Sequence, residues 1–178
     1  MTNGLVVMTP TTIAYSGTSA SINADGSVVF SACTSLSLNG VFTSDYDNYM
    51  IMWSSTSTSG NSPLGRLRAS GTDATANEYV SQYIFAGSTT VAGSRDASAT
   101  NRFGISGSWS TSKSAFTLYM FGPNLAQPTA GRSVVEASQD GATIYDNAWS
   151  HSASTAYDGL TVWNIADSGL VTVFGFNQ

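Results

Sequence analysis

What most restricts this chain is a rhythm. Short runs of β-branched and aromatic residues recur, broken by turn residues at spacings of roughly eight to twelve positions. No window keeps apolar residues at the i, i+3, i+4, i+7 spacing of an amphipathic helix. A chain patterned this way is expected to be all-β, a sandwich or a barrel.

The expected strands follow from the runs themselves. They are "SVVFSA" (27–32), "SLSL" (35–38), "NYMIMWSS" (48–55), "LGRLRAS" (64–70) and "EYVSQYIF" (78–85) in the first half. In the second half they are "FGISGSWS" (103–110), "AFTLYMFG" (115–122), "RSVVEAS" (132–138) and "ATIYDNAW" (142–149). "GLTVWN" (159–164) and "GLVTVFGF" (169–176) read as a closing hairpin. Several runs are apolar on both faces, whereas a sandwich strand normally turns one face to water. Some outer faces are therefore expected to be covered, most simply by another subunit, or else by long loops folded over the sheet.

A chain of 178 residues is one domain by length, and at that size a core forms without staples. The first 33 residues differ from the rest. "TPTTIAYSGTSASINADG" is rich in Ser, Thr and small apolar residues. Residues 1–33 read either as an assembly arm or as a first strand pair of the sandwich, and 34–178 as the sandwich proper.

Charge narrows the function. Charged residues make up 10% of the chain, against roughly 25% in an ordinary soluble domain. The polar surface must be Ser, Thr, Asn and Gly, which suits packing among other subunits. The six basic residues are scattered and the net charge is −5. A nucleic-acid partner needs clustered cations, and a membrane surface needs a polybasic segment; neither is expected. No run approaches the ~18 apolar residues of a spanning helix. The apolar run Leu5–Met8 is too short for a signal sequence, so the chain reads as made in the cytoplasm.

Catalytic chemistry finds little to work with. His151 is the only histidine, with Asp146 and Asp158 near it in sequence, and no Gly-x-Ser-x-Gly elbow accompanies it. Cys33 is the only cysteine; without basic neighbours it reads as a small buried apolar residue. Paired carboxylates for glycoside cleavage would have to come from Glu78, Glu136 or aspartates in turn contexts: Asp25, Asp73, Asp140 and Asp158. Asp73 and Glu78 in "GTDATANE" are a weak calcium pattern. No catalytic residue, cofactor or metal is expected.

Glycan binding without cleavage needs aromatic platforms beside hydroxyls and amides. Tyr145, Trp149, Tyr157 and Trp163 lie in a late stretch rich in Asn and Ser and are the candidate contacts. In "LNGVFTSDYDNYMIMW", Tyr49, Ile51 and Trp53 share one strand face, with Phe42 on the approach, while Asp45 and Asp47 fall in the connection. Met50 and Met52 then point away from the core. With Leu5, Val6, Val7, Met8 and Ile13 they are the candidate assembly contacts.

Read in order, "SLSLNGVFTSDYDNYMIMW", "LGRLRASGTDATANEYVSQYI", "TLYMFGPNLAQPTAGRSVV" and "HSASTAYDGLTVW" resemble a recurrent β-rich surface and fibre-type domain of tailed-bacteriophage virions, notably of marine and cyanobacterial phages. The resemblance runs from about Thr34 to the C-terminus. It implies a jelly-roll-like antiparallel sandwich, a homo-oligomer (a trimer first), and assembly into a virion in the host cytoplasm. The chain begins at Met and shows no fibre shaft, which favours a short fibre, a decoration protein or a neck or tail component that contacts other virion proteins. The alternatives are a carbohydrate-binding host-recognition module and, behind it, a polysaccharide-degrading enzyme.

Overall fold

In the computed structural model of the chain, residues 4–87, 89–96, 98–106, 113–137 and 143–177 are described. They hold no helix. The strands are β1 (Val6–Val7), β2 (Thr12–Ser16), β3 (Ser19–Ile22), β4 (Val28–Asn39), β5 (Asn48–Ser57), β6 (Leu64–Ala69) and β7 (Thr72–Asp73). They continue with β8 (Tyr79–Gly87), β9 (Thr90–Arg95), β10 (Phe103–Gly104), β11 (Lys113–Phe121), β12 (Thr129–Ala137), β13 (Thr143–His151) and β14 (Gly159–Phe176). The pairings among them are antiparallel and join all 14 strands into one sheet that folds over itself as a jelly-roll-like sandwich.

The expected closing hairpin is instead a single strand, β14, of 18 residues. Asn164 takes a left-handed φ of 58°, and the register with β4 shifts between Trp163 and Asp167 and again before Gly169. A bulge bends a strand without reversing it. Likewise the expected strands 27–32 and 35–38 merge into β4, which bends at Ala32 (φ 46°) directly beside the β14 bulge. Gly17, in the β2–β3 turn, sits against the same corner; a Cβ there would stand 2.3 Å from the Ala32 carbonyl oxygen.

Asp167 is fully buried at this corner. It accepts a 2.7 Å hydrogen bond from Ser55 Oγ, which in turn accepts one from the Trp53 indole N–H at 3.1 Å. Ser168 Oγ accepts from the Ala32 N–H at 2.8 Å. Two backbone N–H groups at the corner thus find side-chain partners, Ala32 on Ser168 Oγ and Ala166 on Asp167 Oδ1 at 3.2 Å.

Past the corner, the C-terminal half of β14 continues a long layer in the order β14-β5-β11-β12-β13-β8-β9. Before it, the N-terminal half pairs with β6 and the far half of β4, and β10 adds to β6. The core lies between these layers. Phe30 packs on Trp53 at 4.5 Å and Trp53 stacks on Phe116 at 5.5 Å. Phe103 of β10 stacks on Trp149 of β13 at 4.0 Å. Two glycines make room for those two rings: a Cβ at Gly65 would stand 2.1 Å from the Phe103 ring, and one at Gly131 2.2 Å from the Trp149 ring. Tyr79 anchors β8 to β6, its hydroxyl accepting from the Leu67 N–H at 3.0 Å.

Residues 4–33 belong largely to this sheet. β1 pairs with Phe174 and Gly175, and β2 and β3 line the free edge of β4. Met8 and Ile13 pack against the core. Of the expected strand 103–110, the described residues form strand at Phe103–Gly104; residues 107–110, Ser138, Asp140 and Ala142 lie outside the described residues.

Candidate functional site

Because side chains alternate across a strand, the long layer has an inner and an outer face, and its registers write out both. One outer row runs Thr172, Met52, Thr117, Val134, Asp146, Ile84. A neighbouring row runs Leu170, Ser54, Ala115, Glu136, Ile144. Met52, Val134, Leu170, Phe121, Ile144 and Ile84 are all exposed there, Ile144 to 58%. Adjoining hollows of about 390 and 430 Å³ share Val134; the first is edged by Met52, Leu170 and Phe174, the second by Tyr119, Phe121 and Phe176. The sequence-expected Met50 and Met52 lie on this face, Met50 half-buried. Arg132 and Asp146 form an ion pair across it, Nε to Oδ1 at 2.8 Å. That pairing lowers the Asp146 pKa and raises that of Arg132.

The N-terminal candidates divide. Leu5 and Val7 are exposed, whereas Val6, Met8 and Ile13 are partly buried against the fold. Val7 is the cross-strand neighbour of Phe174 and extends the apolar face.

The aromatic platform does not come together. Tyr145, Trp149 and Tyr157 are buried in the core because they fall on inner-facing positions of β13 and beneath the approach to β14. Trp163 alone is half-exposed, with the Arg66 guanidinium 4.8 Å over its ring. The late aromatics therefore offer no shared surface for a sugar.

His151 is fully buried. Its Nδ1 lies 3.4 Å from the Tyr157 hydroxyl, its Nε2 3.6 Å from Glu78 Oε2, and its ring packs edge-on to Tyr79 at 4.2 Å. Burial pushes its pKa below the ordinary value, partly offset by the Glu78 carboxylate. Cys33 is buried, its thiol directed at the carbonyls of Ser19 and Ser31, and burial raises its pKa. Asp73 is engaged by Arg68 and by the Thr161 hydroxyl at 2.7 Å, while Glu78 turns toward His151, so the two acids of "GTDATANE" are directed to different partners. Among the described residues no cluster of His, Cys, Asp and Glu has the makings of a metal site.

A site that sequence reasoning missed lies on the inner side. The row that starts at Leu118 turns polar along its length: Ser133, Asn147, Tyr83, Ser94. β10 lies over that row, and the Ile105 carbonyl just after it accepts hydrogen bonds from Ser133 Oγ (2.8 Å) and Asn147 Nδ2 (2.7 Å). Beside β10 opens a cleft of about 220 Å³ lined by Ser81, Tyr83, Asp96, Arg102, Gly104 and Asn147, among others. These residues sit on separate strands and loops, so no sequence motif announces them.

No family model matches the chain, and no curated protein matches it. Two solved structures are loosely similar. One is domain 4 of AbnA, a GH43 extracellular arabinanase from Geobacillus stearothermophilus in complex with arabinotriose: 12% identity, 93% of this chain and 76% of that one covered, TM-score 0.31. The other is the Emp47p carbohydrate recognition domain: 11% identity, 94% and 90% covered, TM-score 0.27. Likenesses this loose carry no argument about what the chain binds.

Proposed function

We propose that this protein is a non-catalytic structural module that works by association, with the outer face of its long layer as the contact surface. The observation that carries this is the set of exposed apolar side chains, Met52, Val134, Ile84, Leu170 and Ile144, that the registers gather on that face between Thr117, Glu136 and the Arg132–Asp146 pair. Contiguous apolar surface of this kind marks interaction sites. The occupant is a second copy of the chain. The ion pair of Arg132 with Asp146 is neutral as a unit, so it brings no like-charge repulsion when copies of this face meet.

The finer setting comes from the resemblance to virion surface domains: a homotrimeric accessory protein of a tailed-phage particle. Light scattering coupled to size exclusion tests the association. The expected result is a mass above one chain, three chains in the finer reading. Met52→Lys with Val134→Lys is expected to give a folded monomer. A wild-type protein that stays monomeric at high concentration overturns the proposal.

A second reading, sugar recognition, has one observation in its favour: the polar inner cleft, in place of the buried late aromatics.

A further inference from the structure

We infer that the cleft beside β10 binds one neutral sugar ring; the inference rests on the sugar-recognition reading and supplies its residues. A sugar asks for donors and acceptors close together, and for an apolar wall against its C–H face. The cleft has these parts. The Gly104 N–H donates to Ser81 Oγ at 3.1 Å, which leaves the Ser81 hydroxyl hydrogen for another acceptor. The Asn147 amide nitrogen is committed to Ile105, while its oxygen, an acceptor, lies 4.0 Å from where a Gly104 Cβ would stand. Arg102 and Asp96 face one another at 3.7 Å, beyond hydrogen-bond length. Asp96 Oδ2 has no hydrogen-bond partner among the described residues. The half-buried Tyr83 ring, braced by Phe85 at 6.3 Å and Tyr145 at 5.8 Å, forms the wall.

Charge and size narrow the ligand. Arg102 and Asp96 neutralise each other within the lining, so an anionic ligand gains Arg102 only by leaving Asp96 unpaired, and a cationic one the reverse. A neutral ligand uses both. The volume of about 220 Å³ falls below the roughly 300–1,000 Å³ of sites for drug-sized molecules. It suits a single ring, the end of a glycan rather than its middle.

Gly104 supplies a clean test. Its backbone is not in the left-handed region, and a Cβ there meets nothing closer than Asn147 Oδ1 at 4.0 Å. A larger side chain at 104 therefore enters the cleft beside Asn147 Oδ1 and takes the space a sugar ring would occupy. The experiment is an amide-resolved NMR titration of the full chain with methyl glycosides of neutral hexoses and, separately, of the matching uronic acids. A glycan array is run alongside. Neutral glycosides are expected to shift the amides of Ser81, Asp96, Gly104 and Asn147. Gly104→Leu is expected to abolish those shifts with the thermal midpoint kept. Asp96→Asn is expected to weaken binding by about tenfold, the scale of one charge-assisted hydrogen bond. Array binding without shifts at these amides, or shifts that persist in Gly104→Leu, overturns the cleft and leaves sugar recognition standing elsewhere. Shifts with uronic acids alone overturn the neutral ligand. A blank array with no shifts overturns both the cleft and the sugar reading.

Discussion

The two faces of the long layer are drawn from the same strands and differ by one residue of register. On the inner side of β5 stand Tyr49, Ile51 and Trp53, all buried; on the outer side stand Met50, Met52 and Ser54. On β5 the inner face is aromatic, and its polar tips are tied down: the Tyr49 hydroxyl donates to the Thr43 carbonyl at 2.7 Å, and the Trp53 indole to Ser55. On β5 the outer face is thioether at Met50 and Met52, with Ser54 beside them. Both are apolar, but only the inner one is built for a fixed partner within the chain. Rings with polar handles specify one arrangement, while Met and aliphatic side chains adapt to whatever covers them. Apolar content alone thus does not separate core from contact surface; the polar handles do.

The contrast breaks first on stability. Trp53→Ala empties a site bounded by Phe30 and Phe116 and orphans the hydrogen bond to Ser55. Its expected cost is about 3–5 kcal/mol, the range for large aromatic truncations in a core. Met52→Ala, one residue away, is expected to change the stability of the isolated chain by less than about 0.5 kcal/mol. Urea unfolding at a concentration low enough to suppress association reads both. Equal losses from the two would make the outer face part of the fold rather than a contact surface.

A smaller effect is expected from His151, where the inner face holds its titratable ring. An unfolded histidine takes up its proton near 6.5, and burial holds the folded one lower. Between those values the unfolded state binds more protons. Stability is therefore full above pH 6.5 and falls as the pH drops through the folded value. Thermal midpoints measured from pH 7.5 down to 5 should decline, and the decline should flatten in His151→Gln. A parallel decline in that variant would assign the loss to other groups.

How far the sequence carried these features depends on how local their causes are. Alternation is local, so Tyr49, Ile51 and Trp53 could be assigned to one face and Met50 and Met52 to the other from the chain alone. The sandwich class follows from the same signal. The bend in β14 is not local. "NIADSG" looks like a hairpin turn because Asn, Asp and Gly promote turns. It becomes a bulge because β4 bends beside it and because Asp167 finds Ser55, far away in sequence, inside the fold. The late aromatics failed for a related reason: Tyr145 and Trp149 have inner parity on β13, and parity cannot be assigned until the partner strands are known. The cleft was least legible. Asp96 and Arg102 flank a loop, Asn147 sits mid-strand on β13, and only the fold of β10 onto the inner row brings them together.

The smallest expected effect sharpens the outer face from the polar side. Arg132 and Asp146 pair across neighbouring strands, the Arg132 side chain more than half exposed and that of Asp146 a third. Pairs of that kind rarely contribute measurably, because solvent screens them and the ordering of two side chains offsets the attraction. Arg132→Ala is therefore expected to leave the urea midpoint of the isolated chain unchanged, at low salt and at high salt. Its consequence should appear in association instead. It leaves Asp146 unbalanced at the centre of the face, so two copies then meet with like charges opposed. Sedimentation velocity should show weaker association for Arg132→Ala than for wild type, most of all at low salt, where screening is least. Unchanged association at low salt would place Asp146 outside the contact and move the interface toward Leu170 and Phe174.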